Sequence, residues 1–164
     1  MAILSQKTAN QIPKLPKRAR LIMVDPQTVQ TLLQTLSEYT EDLRTYQQLS
    51  HDEVVADRNY QSMIRYALQT AIQCVIDIAN HLLIGGDLEQ PADSRSAILG
   101  LGRHDILPQD FAQELAGMSG LRNVIVHRYM TVNDELIYQF LQRCVSDFET
   151  FSQHIVAYLQ ENCR

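Results

Sequence analysis

A chain of 164 residues with 45% hydrophobic positions and few Gly or Pro is long and apolar enough for one packed domain, which excludes a body disordered throughout. Its net charge of −5 is divided unevenly: residues 1–24 hold Lys7, Lys14, Lys17, Arg18 and Arg20 and no acid, leaving −10 on the other 140. So acidic a body is a poor general binder of nucleic acid, because such affinity comes mostly from neutralising phosphates. No run approaches the roughly 18 continuous apolar residues of a membrane span, so no membrane contact is expected.

The first seven residues lead into no apolar core, and a secretory signal is not expected. Pro13 and Pro16 among polar and basic residues mark 1–24 as a basic extension, read as flexible, and residues 21–24 form either a short strand or a lead-in to the first helix. Asp25-Pro26 is a helix start, an N-cap acid before a proline at the first helical position. Val29, Leu32, Leu36, Tyr39, Leu43 and Tyr46 then recur in steps of three and four, a narrow apolar seam suited to antiparallel packing or a dimer contact. After a turn at residues 49–52, a second helix is predicted from near Asp52 to Leu83 or Ile84, ended by Gly85-Gly86.

That second helix is apolar almost all round from Ala67 except for one stripe: Gln69, Gln73, Asp77, and Asn80 with His81. Polar groups on a largely buried helix need partners, which a hydrogen-bond network, an interface or a functional site can supply. A polar loop covers residues 85–93. Ser94 is the predicted cap of a short helix through Leu101, stopped by Gly102, with His104 in the loop beyond. Pro108 opens a helix carrying Phe111, Leu115 and Met118, which Gly117 and Gly120 bend or break. After a turn at 131–133, Leu136, Ile137, Phe140, Leu141, Cys144, Phe148, Phe151, Ile155 and Leu159 give a last helix that closes an all-α bundle. Cys74, Cys144 and Cys163 are odd in number and read as free thiols of a reducing cytoplasm.

Chemistry concentrates in Arg122-Asn123-Val124-Ile125-Val126-His127-Arg128-Tyr129. At 100° per residue, Asn123 and His127 stack at i, i+4 beside Arg122, and Tyr129 returns to nearly the arginine's side. Leu121, Val124 and Ile125 gather opposite as an anchor. Histidine exchanges protons near neutrality, and arginine offers a fork of donors that matches phosphate oxygens. Such a pair suits phosphoryl transfer without a metal, with RNA as the natural substrate because its 2′-hydroxyl is a built-in nucleophile. No Cys-x2-Cys, His-Glu-x2-His, EF-hand or glycine-rich phosphate loop appears, so neither a metal nor a cofactor is expected.

Arg122…His127-Arg128-Tyr129 resembles the Arg-x4-His-x-Tyr signature of HEPN-domain toxins of the HepT type. Residues 117–121 before it, 130–136 after it and 71–83 upstream are similar to that family too, and the resemblance covers about residues 26–160. It implies an antiparallel HEPN bundle of about five helices over 25–164, preceded by the basic extension over 1–24. It further implies a homodimer whose two motif helices share one cleft. Its activity would be metal-independent RNA cleavage, leaving a 2′,3′-cyclic phosphate and a 5′-hydroxyl. His127 is then the expected general acid/base, Arg122 the stabiliser of the phosphorane, and Asn123 a holder of the phosphate or the imidazole. Asp77 and Asn80 are the expected supports from the second helix. The resemblance also implies a type VII-like toxin–antitoxin pair, in which a minimal nucleotidyltransferase antitoxin transfers AMP to Tyr129. A rival reading is a non-catalytic helical partner that regulates such a transferase; the acidic body favours it, and the Arg122/Asn123/His127 set favours the enzyme.

Overall fold

A computed structural model describes residues 24–127 and 133–162. Among them are seven helices and no strand: α1 Pro26–Tyr46, α2 His51–Ala56, α3 Arg58–Gly85, α4 Ser94–Arg103, α5 Gln109–Ala116, α6 Met118–His127 and α7 Asp134–Asn162. The antiparallel helical bundle expected from the sequence is present. The helices beyond the expected five arise from short breaks, one at Asp57, which caps α3, and one at Gly117 between α5 and α6.

α1 starts where Asp25 and Pro26 place it. The Asp25 carboxylate accepts from the Gln27 N–H at 3.1 Å and the Thr28 hydroxyl at 2.6 Å, contacts that hold its acid below the ordinary value. Val29, Leu36 and Leu43 are fully buried. Tyr39 meets Tyr66 and Tyr46 meets Tyr60 edge to face, while the Asp25 N–H reaches His81. Rising numbers on α1 meet falling numbers on α3, so the seam packs antiparallel against α3.

The predicted helix from Asp52 is two helices. Ser50 and Glu53 form a capping box that starts α2, and Asp57 leaves helical geometry and caps α3 by accepting from the Asn59 N–H at 2.7 Å. α3 is the central element and packs against α1, α2, α4, α6 and α7. Its mean hydropathy reaches 1.3 over an 18-residue window, enough by length and composition for a membrane span, but 61% of that window is buried inside the bundle. α3 is apolar on nearly every side because it is surrounded.

α3 and α4 end alike. The Leu88 N–H bonds the Leu83 carbonyl and the Ile106 N–H bonds the Leu101 carbonyl, each at 2.9 Å, with Asp87 (φ 49°) and Asp105 (φ 58°) in the left-handed position between. These are Schellman endings with aspartate where glycine is usual. α4 is capped by Asp93, which accepts from the Ser96 N–H at 2.7 Å, and not by Ser94. Gly102 lies inside α4; a Cβ there would sit 2.8 Å from Ala112 Cβ, so the glycine lets α4 and α5 approach closely.

α7 buries Ile137, Phe140, Leu141, Cys144, Val145, Phe148, Phe151 and Ile155, whereas Leu136 is exposed. It lies antiparallel to α1, with Gln47 donating to the Leu141 carbonyl at 2.8 Å and Arg44 paired with Glu149. Its first residue, Asp134, pairs with Arg65 near the start of α3. Cys74 and Cys144 are buried free thiols, pushed by burial to about 11 and about 12, which leaves them unreactive. Cys163 lies outside the described residues.

The α3–α4 loop is fastened by Glu89, which takes two bonds from Arg103 (2.5 and 3.2 Å) and one contact with His104 Nε2 (2.9 Å). The Arg103 bonds, more than the His104 contact, hold the Glu89 carboxyl below its ordinary 4.5. A folded value below the unfolded one stabilises above about pH 4.5, and that contribution is lost as the pH falls further. Glu89→Gln should therefore lower the melting temperature at neutral pH and flatten its decline on acidification below 4.5, read by thermal melts across pH. Gly100 backs the same fastening: a Cβ there would lie 2.6 Å from Leu83 Cδ1 and 2.8 Å from Glu89 Oε1. Gly100→Ala gains about 1 kcal/mol of helix propensity but overpacks a close-packed site at about 1–3 kcal/mol. A net loss of about 1 kcal/mol is expected in chemical denaturation.

Candidate active site on the α6 helix

α6 is seated by Met118, Ser119, Leu121 and Ile125, which face the core; Val124, expected among the anchors, is only half-buried. Gly120, Asn123 and His127 are exposed and Arg122 is half-buried on the remaining surface. Burial of one side thus presents the polar residues on the other.

The Arg122 guanidinium donates from Nη1 to Asn123 Oδ1 at 3.2 Å. Its Nε–H is buried and, among the described residues, has no hydrogen-bond partner and no carboxylate paired with it. An arginine tied only to a neutral carboxamide keeps its charge available for an incoming anion. His127 is the last residue of α6, exposed one helical turn after Asn123. Arg128 and Tyr129 lie outside the described residues. Beyond them, Asn133 Oδ1 accepts from the Glu135 N–H at 2.9 Å at the start of α7. With the Arg65–Asp134 pair, that cap fixes the chain's return after the motif. Arg65 was not foreseen, since its partner lies 69 residues away and only folding brings the two together.

The α3 stripe is where the sequence put it. Asp77 Oδ1 accepts from Gln73 Nε2 at 2.7 Å, and Gln73 Oε1 is buried without a partner. Asp77, Asn80, His81, Ile84 and Gly85 line an open depression of about 440 Å³. α3 and α6 pack against each other, but within one protomer, among the described residues, no hydrogen bond links Asp77 or Asn80 to Arg122, Asn123 or His127. His81 is engaged elsewhere: its Nε2 accepts the Asp25 N–H at 3.0 Å. Among the described residues, no three of His, Cys, Asp and Glu gather as a metal site.

A cation with free donors, a carboxamide and an exposed imidazole on one rigid helix suit acid/base work on a phosphodiester. The sequence profile described as Ribonuclease HepT-like matches residues 36–155, a span that contains all three residues. The chain belongs to the HepT-like ribonuclease family. It is similar to the "tRNA nuclease HepT" of Aphanizomenon flos-aquae, 25% identical over 136 residues, 83% of this chain and 92% of that protein. The "mRNA nuclease HepT" of Shewanella oneidensis is 33% identical over 101 residues, 62% of this chain and 76% of that one. Among solved structures, a tri-AMPylated Shewanella oneidensis HEPN toxin in complex with MNT antitoxin superposes with a TM-score of 0.72 at 26% identity. That superposition covers 79% of this chain and 96% of the toxin. The fold of this HepT-like chain is thus the HEPN bundle, with additional sequence outside the shared part.

Gly120 stands out on the exposed side of α6. A Cβ there would meet nothing within 4 Å, so nothing among the described residues needs a glycine at that point. Gly120→Ala should therefore leave the fold intact and stabilise it by about 0.5–1 kcal/mol through helix propensity. A lowered melting temperature would contradict this.

Proposed function

We propose that this HepT-like protein is the toxin of a toxin–antitoxin pair, a metal-independent endoribonuclease whose site is Arg122, Asn123 and His127. The observation that carries the reading is a half-buried Arg122, unpaired with any described carboxylate, on the same helix as the exposed His127. Its setting in a family of ribonucleases supplies the reaction class. In the step envisaged, a base takes the proton from the RNA 2′-hydroxyl and the 2′-oxygen bonds to the adjacent phosphorus. The bond from phosphorus to the 5′-oxygen breaks, and that oxygen leaves with a proton. His127 is the group that exchanges protons, and Arg122 neutralises the charge growing on the phosphorane. Asn123 holds the guanidinium in place and offers its amide to the phosphate, with Asp77 and Asn80 in support.

Arg122 and His127 are about 140° apart around one helix, so a single copy aims them apart. A homodimer resolves this, because a two-fold axis can bring the arginine of one copy to the histidine of the other. A seam on α3 supports that assembly. Met63, Tyr66, Thr70, Gln73, Asp77, Asn80 and Ile84 follow alternating steps of three and four, and Met63 (51%), Tyr66 (60%) and Ile84 (45%) are exposed large apolar residues.

The solved Shewanella relative, AMPylated and bound to its MNT antitoxin, supports control by a nucleotidyltransferase partner, with Tyr129 as the acceptor of AMP. A phosphate and a base on that phenol would compete with RNA for Arg122. The two buried thiols suit a protein that works in a reducing cytoplasm.

His127→Ala should abolish RNA cleavage at unchanged helix content, and Arg122→Ala should slow it by about 10²–10³-fold, the usual loss for one oxyanion-stabilising donor. Both are read from new 5′-hydroxyl ends in RNA treated with equal amounts of protein. Undiminished cleavage by His127→Ala removes the assignment; absent cleavage by the unaltered chain favours the regulatory-partner reading. Co-expression with a cognate minimal nucleotidyltransferase should add one or more AMP groups at Tyr129 by mass spectrometry, and none in Tyr129→Phe.

A further inference from the structure

An acidic surface repels phosphates, but a carboxylate is also the acceptor that suits the N–H donors of a base edge. Arg44, Arg65 and Arg103 are each paired with acids. Arg143 on α7 has no ion pair among the described residues, and its guanidinium lies over the Phe140 ring, 5.5 Å from the centroid. Phe140 is only 7% exposed whereas Arg143 is exposed. The ring therefore backs the guanidinium and leaves the cation's other face towards solvent.

Glu114, Met118, Phe140, Arg143 and Asp147 line one cleft of about 380 Å³, where the end of α5 and the start of α6 meet α7. None of these residues belongs to α3 or its seam. The carboxylates of Glu114 and Asp147 accept no hydrogen bond among the described residues. Asp147 is half-buried, and that burial holds its acid above the ordinary value against the pull of Arg143, with Glu114 adding to the rise. It is a carboxylate short of donors.

α6 ties this cleft to the candidate active site. Arg122 follows Met118 by four residues, about 6 Å further along the axis and about 40° round, on nearly the same side of the helix. A strand whose phosphate meets Arg122 thus has a base within about one helical turn of the cleft. Unstacked bases of single-stranded RNA lie against aromatic and guanidinium planes and are read along their Watson–Crick edges. Guanine alone presents two adjacent donors there, N1–H and N2–H, matching the two oxygens of one carboxylate. The other three bases set an acceptor beside their donor and would turn a lone pair on Asp147.

We propose that this cleft is a base pocket for a guanine of single-stranded RNA beside the scissile phosphate, its face on the Arg143 guanidinium and its Watson–Crick edge on the Asp147 carboxylate. Its role rests on the ribonuclease reading and adds a sequence preference to it. Arg143 and Asp147 are then specificity-determining residues, while the chemistry stays on α6.

The test compares the full chain with Asp147→Ala and Arg143→Ala, each checked for unchanged helix content. New 5′-hydroxyl ends mapped on single-stranded RNA of random sequence locate any preferred base. Guanosine at that position is then replaced by inosine, which lacks the N2 amino group, and kcat/KM is measured for both substrates. The expected result is guanine at one fixed position within two nucleotides of the cut, and cleavage about tenfold slower with inosine, the usual loss of one hydrogen bond to a charged group. In Asp147→Ala the ratio of the two substrates falls to near one; in Arg143→Ala both rates fall together, as loss of a stacking plane requires. Cleavage with no guanine preference, an inosine penalty undiminished in Asp147→Ala, or unchanged rates in Arg143→Ala overturns the pocket while leaving the nuclease standing. Anisotropy of a labelled 2′-O-methyl oligonucleotide, which cannot be cleaved, separates the two readings further. A full chain that makes no new ends but binds the guanosine strand about tenfold more tightly than the inosine strand, a difference lost in Asp147→Ala, keeps the pocket and removes the nuclease. Neither cleavage nor guanine-dependent binding removes both.

Discussion

The bundle depends on the enclosure of α3. A helix packed on by five others must be apolar on most of its surface, and Leu68, Ala71, Ile72, Val75, Ile78, Ala79 and Leu83 show no exposure. Whatever polar residues such a helix keeps are confined to the strip its neighbours leave uncovered. That constraint gathers Gln73, Asp77, Asn80 and His81 along one line. It also gives α6 a rigid surface to sit on, because Leu121 and Ile125 have to be buried if the helix is to stay in place. Position of the site residues follows from core packing before any chemistry is considered.

Two kinds of information were present in the sequence to different degrees. Local signals were legible: Asp25-Pro26 announced α1, and its seam announced a long antiparallel contact, because a cap and a period of three and four residues are written in neighbouring positions. The type and spacing of Arg122, Asn123 and His127 marked a candidate site, and the resemblance to HepT-type toxins supplied the reaction to look for there. The breaks were not legible, since Asp57 interrupts a run that reads as helix on either side and does so through a cap of its own. Aspartates in the left-handed position after α3 and α4 took the place expected of glycine for a similar reason: the hydrogen bonds back to Leu83 and Leu101 make the turn, and the side chain only has to tolerate it.

Long-range pairings had no sequence signature. Nothing marks Arg65 for Asp134, or His81 for the Asp25 N–H, until the helices are laid side by side. The same gap separates the α3 stripe from the α6 residues. Their shared role was inferred from residue type, while within one protomer Asp77 is occupied by Gln73 and not by the imidazole. The buried Nε of Arg122 likewise has no hydrogen-bond partner among the described residues.

Chain order gives the position of α7 a bearing on synthesis. α7 leaves the ribosome last, yet it supplies Phe148 and Phe151, two of the largest fully buried side chains, and its first residue anchors to Arg65. Until it emerges, α1 and α3 have an open flank. Domains generally fold as units, and incomplete ones expose apolar surface. The bundle on which α6 rests is thus closed only in the finished molecule, by the order of its own helices.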